Sequence, residues 1–285
     1  MAIHTPAGPD STSAAAVAAI LEDPALETGA GRYTLRSVSR AIDVLDILSS
    51  TDDAMSVSEV SRALRNSKST AFAILQTLEE RNLVSSTGEG FQRRYTLGLG
   101  LARLGHRAVS RVSLLDASMP LLHRLTKITR LSSRVATMSQ GSAIVLGQVD
   151  GPHSIRFDLN MGGRERLHCT GIGKAILGQY TDTQIAELGE LTGLPRRTSR
   201  TITDIETLLA DVAQIRLRGY SIDDEEDAEG ILCVGAALMD HTGACAGGIS
   251  VTGLKMGLPP DRLTRVGEAV VGAAEAISRV MGAPQ

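Results

Sequence analysis

The chain of 285 residues is long enough for two domains. Its 42% hydrophobic and 21% charged residues are typical of a globular protein, and no apolar run approaches the roughly 20 residues that cross a bilayer. We therefore expect no membrane partner. No Lys or Arg precedes the apolar run at 14–21, so no export signal is expected. The three cysteines lack CxxC spacing, which argues against disulfides or a metal site and favours a reducing cytoplasm.

Charge is distributed unevenly along the chain, although the net charge is only −3. Residues 1–31 carry four acidic residues and no Lys or Arg. Residues 32–111 carry 12 Lys and Arg against 8 Asp and Glu, and they form the only basic part of the chain. A nucleic-acid contact is therefore expected there, because phosphates attract basic surfaces.

The first elements predict a mobile tail followed by three helices. Residues 1–31, rich in Pro, Gly, Ser and Ala, predict the tail. Residues 36–49 predict an amphipathic helix that Ser37 or Ser39 caps. Ser56 and Glu59 have capping-box spacing and open a second helix.

Ser67 is expected to cap a third helix that ends near residue 82. This helix combines an apolar side with a small, polar and partly basic outer side. Such a surface suits the major groove of DNA and the phosphates beside it. The residues expected to face DNA in this region are Ser56, Ser67, Lys68, Ser69, Thr70, Phe72, Ala73 and Gln76.

A hairpin after these helices predicts a wing. Residues 83–86 and 92–97 have the character of strands, and the segment 87–90 predicts a turn. Arg93 and Arg94 are adjacent, so at least one side chain points out of the sheet. Both are candidates for contact with phosphates or the minor groove.

The remainder predicts a linker and a second, mixed domain. Residues 97–112 predict a linker helix with an apolar stripe that suits a dimer, and 114–129 predict a helix that Pro120 kinks or starts. A hairpin is expected at 133–149 and further strands near Ser154–Asp158, 233–239 and 246–252. Helices are expected at 173–179, 182–188, 204–218 and 260–280.

Several motifs in a fixed order resemble the IclR family of bacterial transcriptional regulators. They include SVSRAIDVLDIL at 37–48, LQTLEERNLV at 75–84, LHCTGIGKAIL at 167–177 and GGISVTG at 247–253. The resemblance implies an α+β protein of two domains that binds double-stranded operator DNA as a homodimer or a dimer of dimers. Its expected parts are a tail (1–31), a winged helix-turn-helix domain (32–97), a linker helix (98–112) and a GAF-like α/β domain for effector binding and oligomerisation (113–285).

The chain departs from this family beside the reading helix. Arg65-Asn66-Ser67 replaces the usual Gly-Leu-Pro, and we expect Asn66 to take over the positive φ of the glycine. The family often has an arginine two or three residues after Thr70, where this chain has Ala71-Phe72-Ala73. Phe72 is either a core residue on a rotated helix or an exposed contact to a thymine methyl group.

The resemblance also places an effector site in the second domain. The segment 170–174 lacks the spacing of a phosphate loop, so no nucleotide cofactor is expected. Its glycine-rich turn is either a packing feature or a small-anion site. Ser250 and Thr252 share strand parity and therefore one face of a sheet. The residues expected to hold a small organic or aromatic carboxylate are Gly171, Ile172, Asp223, Cys233, Ser250 and Thr252.

Three other interpretations remain open from the residues alone. Cys233 or Cys169 could act as the nucleophile of a GAF-like thiol enzyme, although no His or Asp partner is evident beside either residue. The chain could instead be a redox sensor or an architectural DNA-binding protein without a small ligand. His168 is expected to be a hydrogen-bonded structural residue rather than a metal ligand. A ligand-responsive regulator, with a repressor favoured over an activator, is the expected function.

Overall fold

The computed structural model describes residues 35–109, 113–152 and 162–284. Within these ranges, 35–109 belong to one compact unit and 113–284 to a second. The expected tail at 1–31 and the expected strand Ser154–Asp158 lie outside the described residues. No helix in the described part of the chain has the length and apolar character needed to cross a membrane.

The first unit is a small helical domain with a three-stranded sheet. Its sheet has the order β1-β3-β2, with both pairings antiparallel. A core of eight buried apolar residues, centred on the fully buried Tyr95 ring, joins the helices to this sheet. The elements are α1 (Arg36–Ser49), β1 (Met55–Ser56), α2 (Val57–Ala63), α3 (Lys68–Glu80), β2 (Val84–Thr87), a 3₁₀ turn (Gly90–Gln92), β3 (Arg94–Leu97) and α4 (Leu99–Val109).

Local sequence signals fix the helix starts in this unit. The Ser56 hydroxyl accepts a hydrogen bond from the Glu59 N–H, and the Glu59 carboxylate accepts one from the Ser56 N–H, so the expected capping box is present. Ser67 caps α3 by accepting from the Thr70 N–H at 3.1 Å. Between the two helices, Arg65 takes the positive φ, at 51°, so the expectation for Asn66 was wrong. The Asn66 side chain instead accepts from the Ser67 N–H.

The second unit is a six-stranded antiparallel sheet with helices on both faces. The sheet order is β6-β5-β4-β9-β8-β7, so the strands β4 and β9, distant in sequence, pair at its centre. The elements are α5 (Leu114–Thr129), β4 (Ser132–Ser139), β5 (Ser142–Val149), β6 (Arg164–Glu165), α6 (Gly171–Leu177), α7 (Asp182–Thr192), α8 (Ile205–Arg218), β7 (Ser221–Asp224), β8 (Ile231–Met239), β9 (Cys245–Leu254), a 3₁₀ turn (Lys255–Gly257) and α9 (Pro260–Val280).

Two separate cores cover the two faces of this sheet. The first core packs α5 and α9 against apolar residues such as Val135, Val234 and Val251. The second packs α6, α7 and α8 over Ala136 and Ala143 on the opposite face. Val135 and Ala136 belong to different cores because successive strand residues point to opposite faces. The α+β architecture expected from the sequence is therefore confirmed.

Helix α6 lies unusually close to strand β8, and two glycines permit this approach. A Cβ on Gly171 would lie 2.9 Å from the Cβ of Cys233. A Cβ on Gly235 would overlap the carbonyl oxygen of Gly171. The same carbonyl accepts a hydrogen bond from the buried Ser221 hydroxyl, which ties β7 to the start of the helix. Larger side chains at either glycine would therefore separate the helix from the sheet.

A buried lysine fixes α6 from its other side. The ammonium of Lys174 is fully buried and donates to Asp211 Oδ2 at 2.7 Å and to Glu226 Oε1 at 2.5 Å. The buried ammonium therefore pairs with the buried Glu226 and with the half-buried Asp211, which also lies 3.8 Å from the Arg218 guanidinium. Burial raises the pKa of Glu226 from its ordinary value of 4.5 to about 7, although the charge of Lys174 opposes this.

Several elements differ from the sequence expectations. The two-residue strands β1 and β6 and the strand β7 were missed, because strands this short carry little periodic signal. Helix α6 begins at Gly171 rather than Gly173, and Pro120 lies inside α5 rather than in its first turn. Neither Ser37 nor Ser39 caps α1, which has no side-chain cap.

Replacing Lys174 with Met should destabilise the second unit by about 3 kcal/mol, because the change leaves Asp211 and Glu226 without their shared cation in a buried site. Urea unfolding followed by circular dichroism measures this loss. Lys127→Met on exposed α5 surface is the matched control. Equal stability of the two variants would contradict the structural role of Lys174.

The raised pKa of Glu226 predicts a pH-dependent stability. Between pH 4.5 and about 7 the folded state holds a proton that the unfolded state has released, so the free energy of unfolding falls as the pH rises. Glu226→Gln should reduce the fall in the free energy of unfolding between pH 5 and pH 8 by about 2–3 kcal/mol. Urea titrations at both pH values test this, with the exposed Glu229→Gln as control. If the free energy of unfolding of Glu226→Gln falls with pH as much as that of the natural chain, another group causes the pH dependence.

Candidate functional site

The outer face of α3 has the character expected of a DNA-reading surface. Its inner residues Ala71, Leu75 and Leu78 are buried in the core of the first unit. The outer residues are exposed: Lys68, Ser69, Phe72, Ala73 and Gln76. Phe72 is 40% exposed and does not belong to the core, which favours the exposed-contact interpretation over the core interpretation.

The start of α3 carries a compact group of hydroxyls. The Ser67 hydroxyl lies 2.9 Å from that of Ser69 and 2.8 Å from that of Thr70. The side chain of Lys68 is exposed beside them. The first N–H groups of a helix have no acceptor within the helix, so this end offers donors to an anion such as a phosphate. The Ser56 side chain, like that of Ser67, caps a helix, and it accepts from the Glu59 N–H at the start of α2.

The structure places Arg93 in an internal network. Its guanidinium donates to both Glu79 oxygens, at 2.7 and 2.9 Å, and to the Ser86 hydroxyl at 2.9 Å. The same group lies 5.5 Å from the centroid of the Tyr95 ring. These contacts join the wing to α3. A contact of Arg93 with DNA stays a prediction that requires release from Glu79.

Arg94 is more exposed and less tightly held. Its guanidinium donates to the carbonyl oxygen of Ala54 at 2.6 Å and lies 3.4 Å from Glu59 Oε2. The side chain retains 51% exposure. It is therefore the better placed of the two wing arginines to reach a phosphate.

In the second unit, four of the six expected effector residues share one face of the sheet. Asp223 lies opposite Cys233, Cys233 opposite Thr252, and Ser250 is two residues before Thr252 on the same strand. Cross-strand partners and alternate residues point to the same side. All four side chains are buried. They lie beneath α6, whose first residue Gly171 packs against Cys233.

A buried arginine occupies the centre of this polar face. Arg134 lies directly opposite Ser250 across β4 and β9. Its guanidinium donates to the Ser250 hydroxyl at 3.1 Å and the Thr252 hydroxyl at 3.0 Å, and it lies 3.8 Å from the sulfur of Cys233. Arginine can only donate, so both hydroxyl oxygens accept from it. Sequence reasoning missed Arg134, because Cys233, Ser250 and Thr252 lie at least 99 residues away from it along the chain.

Glu165 on β6 is the charged partner of Arg134. The Glu165 Oε1 atom accepts a hydrogen bond from the Arg134 guanidinium. Both side chains are more than nine-tenths buried. Burial raises the pKa of Glu165 above its ordinary value, and the neighbouring charge of Arg134 opposes this.

Asp223 closes the polar face on the β7 side. Its Oδ1 atom accepts from the N–H groups of Glu226, at 2.8 Å, and Asp227, at 3.3 Å. Burial raises the pKa of Asp223 to about 6, and these two hydrogen bonds oppose the shift. Asp223 therefore titrates closer to neutral pH than an exposed aspartate does.

The residues at the start of α6 are buried at the edge of the same face. Thr170 caps this helix by accepting from the Gly173 N–H at 3.1 Å. The N–H groups of Gly171 and Ile172 lie in the first turn, where intrahelical acceptors are absent. His168 Nε2 lies 3.2 Å from the carbonyl oxygen of Pro195, consistent with a structural histidine.

The cysteines lack the properties of a catalytic thiol. Burial raises the pKa of Cys233 to about 12 and also raises the pKa of Cys169 and of Cys245. A nucleophilic cysteine needs a lowered pKa, since the thiolate is the reactive form. Among the described residues, no group of three or more His, Cys, Asp or Glu side chains could hold a metal ion.

Family comparisons agree with this two-part organisation. Residues 37–88 match the IclR helix-turn-helix domain, and residues 106–279 match the model described as the C-terminal part of the bacterial transcriptional regulator IclR. The chain is 31% identical to the HTH-type transcriptional regulator BhcR of Paracoccus denitrificans over 86% of each chain. It is 30% identical to the HTH-type transcriptional repressor AllR of Escherichia coli K12, over 91% of this chain and 93% of AllR.

Solved structures show the same fold. The Agobacterium tumefaciens repressor BlcR superposes with a TM-score of 0.71 at 23% identity, over 88% of this chain and 99% of BlcR. The Thermotoga maritima IclR superposes with a TM-score of 0.58 at 27% identity, over 87% and 100% of the two chains. The matching family models and curated relatives are transcriptional regulators and not enzymes, which argues against the thiol-enzyme interpretation. The chain belongs to the IclR family of bacterial transcriptional regulators.

Proposed function

We propose that the protein is a transcriptional repressor whose DNA binding responds to a small organic or aromatic carboxylic acid. The observation that supports this most is the buried polar face of the second unit, on which Arg134, Ser250 and Thr252 meet under α6. A buried cationic group beside two hydroxyls suits an anion with oxygen acceptors. The acid is held by Gly171, Ile172, Asp223, Cys233, Ser250 and Thr252.

The first unit of this regulator contacts DNA. The protein acts in the cytoplasm. The outer face of α3 enters the major groove, and the hydroxyls at its start contact a phosphate. Two copies of the chain place two such helices on one operator, and two dimers pair on longer sites. We propose that the bound acid changes operator affinity through the segment 98–130, which joins the two units.

Ser250→Ala should weaken the response to the acid more than it weakens DNA binding. A lost hydrogen bond of about 1 kcal/mol corresponds to about a fivefold higher concentration of acid for half the response. A fluorescent duplex chosen by in vitro selection from random DNA reports binding by anisotropy, with acetate, lactate, succinate and benzoate added in turn.

Ser199→Ala, at an exposed serine of the same unit, is the matched control. The proposal expects a normal response in Ser199→Ala and a weakened one in Ser250→Ala. It is contradicted if substitutions at all six proposed effector residues leave the response intact.

Phe72→Ala should change operator preference while leaving folding intact. The ring is 40% exposed on the outer face of α3, so its removal opens no cavity in the core. Loss of a thymine-methyl contact is expected to reduce discrimination at one base pair by about fivefold. Anisotropy titrations against single-base variants of the selected duplex measure this effect.

Met256→Ala, which also removes an exposed apolar side chain, controls for nonspecific surface effects. Thermal unfolding of both variants should match that of the natural chain. An unaltered preference across the full set of base variants in Phe72→Ala would show that this residue does not read DNA.

A further inference from the structure

The pair of Arg134 and Glu165 is incompletely satisfied. Glu165 uses Oε1 for Arg134, whereas its buried Oε2 atom has no hydrogen-bond partner among the described residues. A buried carboxylate with one unpaired oxygen is unfavourable, because burial removes water without replacing all of its hydrogen bonds. The pair is therefore a weaker arrangement than a fully bonded bidentate one.

Glu165 also lies on a short strand at the edge of the sheet. Strand β6 has only two residues, Arg164 and Glu165, and each of them pairs with one residue of the neighbouring strand β5. Arg134, in contrast, belongs to β4, which pairs with strands on both sides at the centre of the sheet. Moving Glu165 away therefore disturbs only the short pairing of β6 and of the adjoining Gly162 and Gly163 with β5. Moving Arg134 would disrupt the centre of the sheet.

A cavity of about 250 Å³ lies beside Glu165. Its lining includes Arg164 and Arg166 together with Glu165 but not Arg134, so the cavity borders the carboxylate side of the pair. Such a lining concentrates anions next to the carboxylate that holds Arg134. The volume suits a small organic acid rather than a large ligand.

We propose that Arg134 holds the acid group of the effector and that Glu165 is a built-in counter-ion, which the carboxylate of the effector displaces. This inference rests on the proposed function, since it concerns recognition at the same site. The carboxylate of the ligand takes the place of Glu165 on the guanidinium and accepts from the hydroxyls of Ser250 and Thr252. No covalent bond forms or breaks.

The orientation of the hydroxyls supports this exchange. Ser250 and Thr252 accept from Arg134, so each hydroxyl still has one proton to donate. The Thr252 hydroxyl also lies 3.3 Å from the sulfur of Cys233, a contact that a carboxylate ligand would replace. The Arg134 guanidinium and the two hydroxyls therefore offer three donor groups to the two acceptor oxygens of a carboxylate. The neutral amide of the same acid carries no negative charge with which to displace Glu165. Only one of its two polar groups, the oxygen, accepts hydrogen bonds, whereas both oxygens of a carboxylate accept them. The pair thus selects acids over their amides.

The test compares the natural chain with Glu165→Gln and with the double variant that combines Arg134→Met and Glu165→Gln. The double variant keeps the buried site neutral, so it avoids the stranded carboxylate that Arg134→Met alone would leave. Calorimetric titrations use acetate, lactate, succinate and benzoate, and the neutral amide of each acid. Glu190→Gln and Arg265→Met, both at exposed positions, are the charge-matched controls.

The proposal expects at least one acid to bind the natural chain and to bind Glu165→Gln about tenfold more tightly. The same acid should bind the double variant about a hundredfold more weakly than it binds the natural chain. Its amide should show no appreciable binding to the natural chain, to Glu165→Gln or to the double variant. Both control variants should match the natural chain. Circular dichroism establishes that each variant is folded.

The remaining outcomes overturn the proposal in distinguishable ways. Equal binding of an acid to the natural chain and the double variant would refute the role of Arg134 and leave acid sensing intact. Binding of an amide but of no acid would refute acid selection and leave a ligand response intact. An absence of binding by every acid to both the natural chain and Glu165→Gln would refute this inference and the proposed function together.

Discussion

The close approach of helix α6 to strand β8 is the constraint on which the second unit depends. It requires glycine on both sides of the contact, at Gly171 and at Gly235. The approach places the first turn of the helix over Cys233 and carries Lys174 into the interior. Buried carboxylates then become necessary, because an isolated ammonium would be strongly unfavourable there. A packing requirement thus leads directly to the charge pattern around the site.

The same sheet serves two different purposes on its two faces. One face carries the apolar residues that pack against α5 and α9. The other carries Arg134, Cys233, Ser250 and Thr252 in neighbouring cross-strand positions. Strand alternation lets both patterns exist on the same strands. The polar face is therefore rigidly positioned by a core that takes no part in recognition, as a specific binding site requires.

Much of this organisation could be predicted from local sequence. The capping serines Ser56 and Ser67 sit at the expected helix starts, and the final helix Pro260–Val280 has the predicted bounds. The shared face of Ser250 and Thr252 follows from strand parity alone. Contacts between residues far apart in the sequence could not be predicted. Those of Arg134 with Ser250 and Glu165 depend on a strand order that no local pattern encodes. The positive φ of Arg65 was likewise invisible, since arginine rarely adopts it.

The central claim is that an acid bound on the polar face of the second unit alters the DNA-binding unit. Amide hydrogen exchange measured by mass spectrometry tests it most directly, with and without the tightest binder among acetate, lactate, succinate and benzoate. The account predicts slower exchange at Gly171–Leu177 and Ile231–Met239 together with altered exchange within 98–130. Protection confined to other parts of the second unit, with 98–130 unchanged, would contradict it.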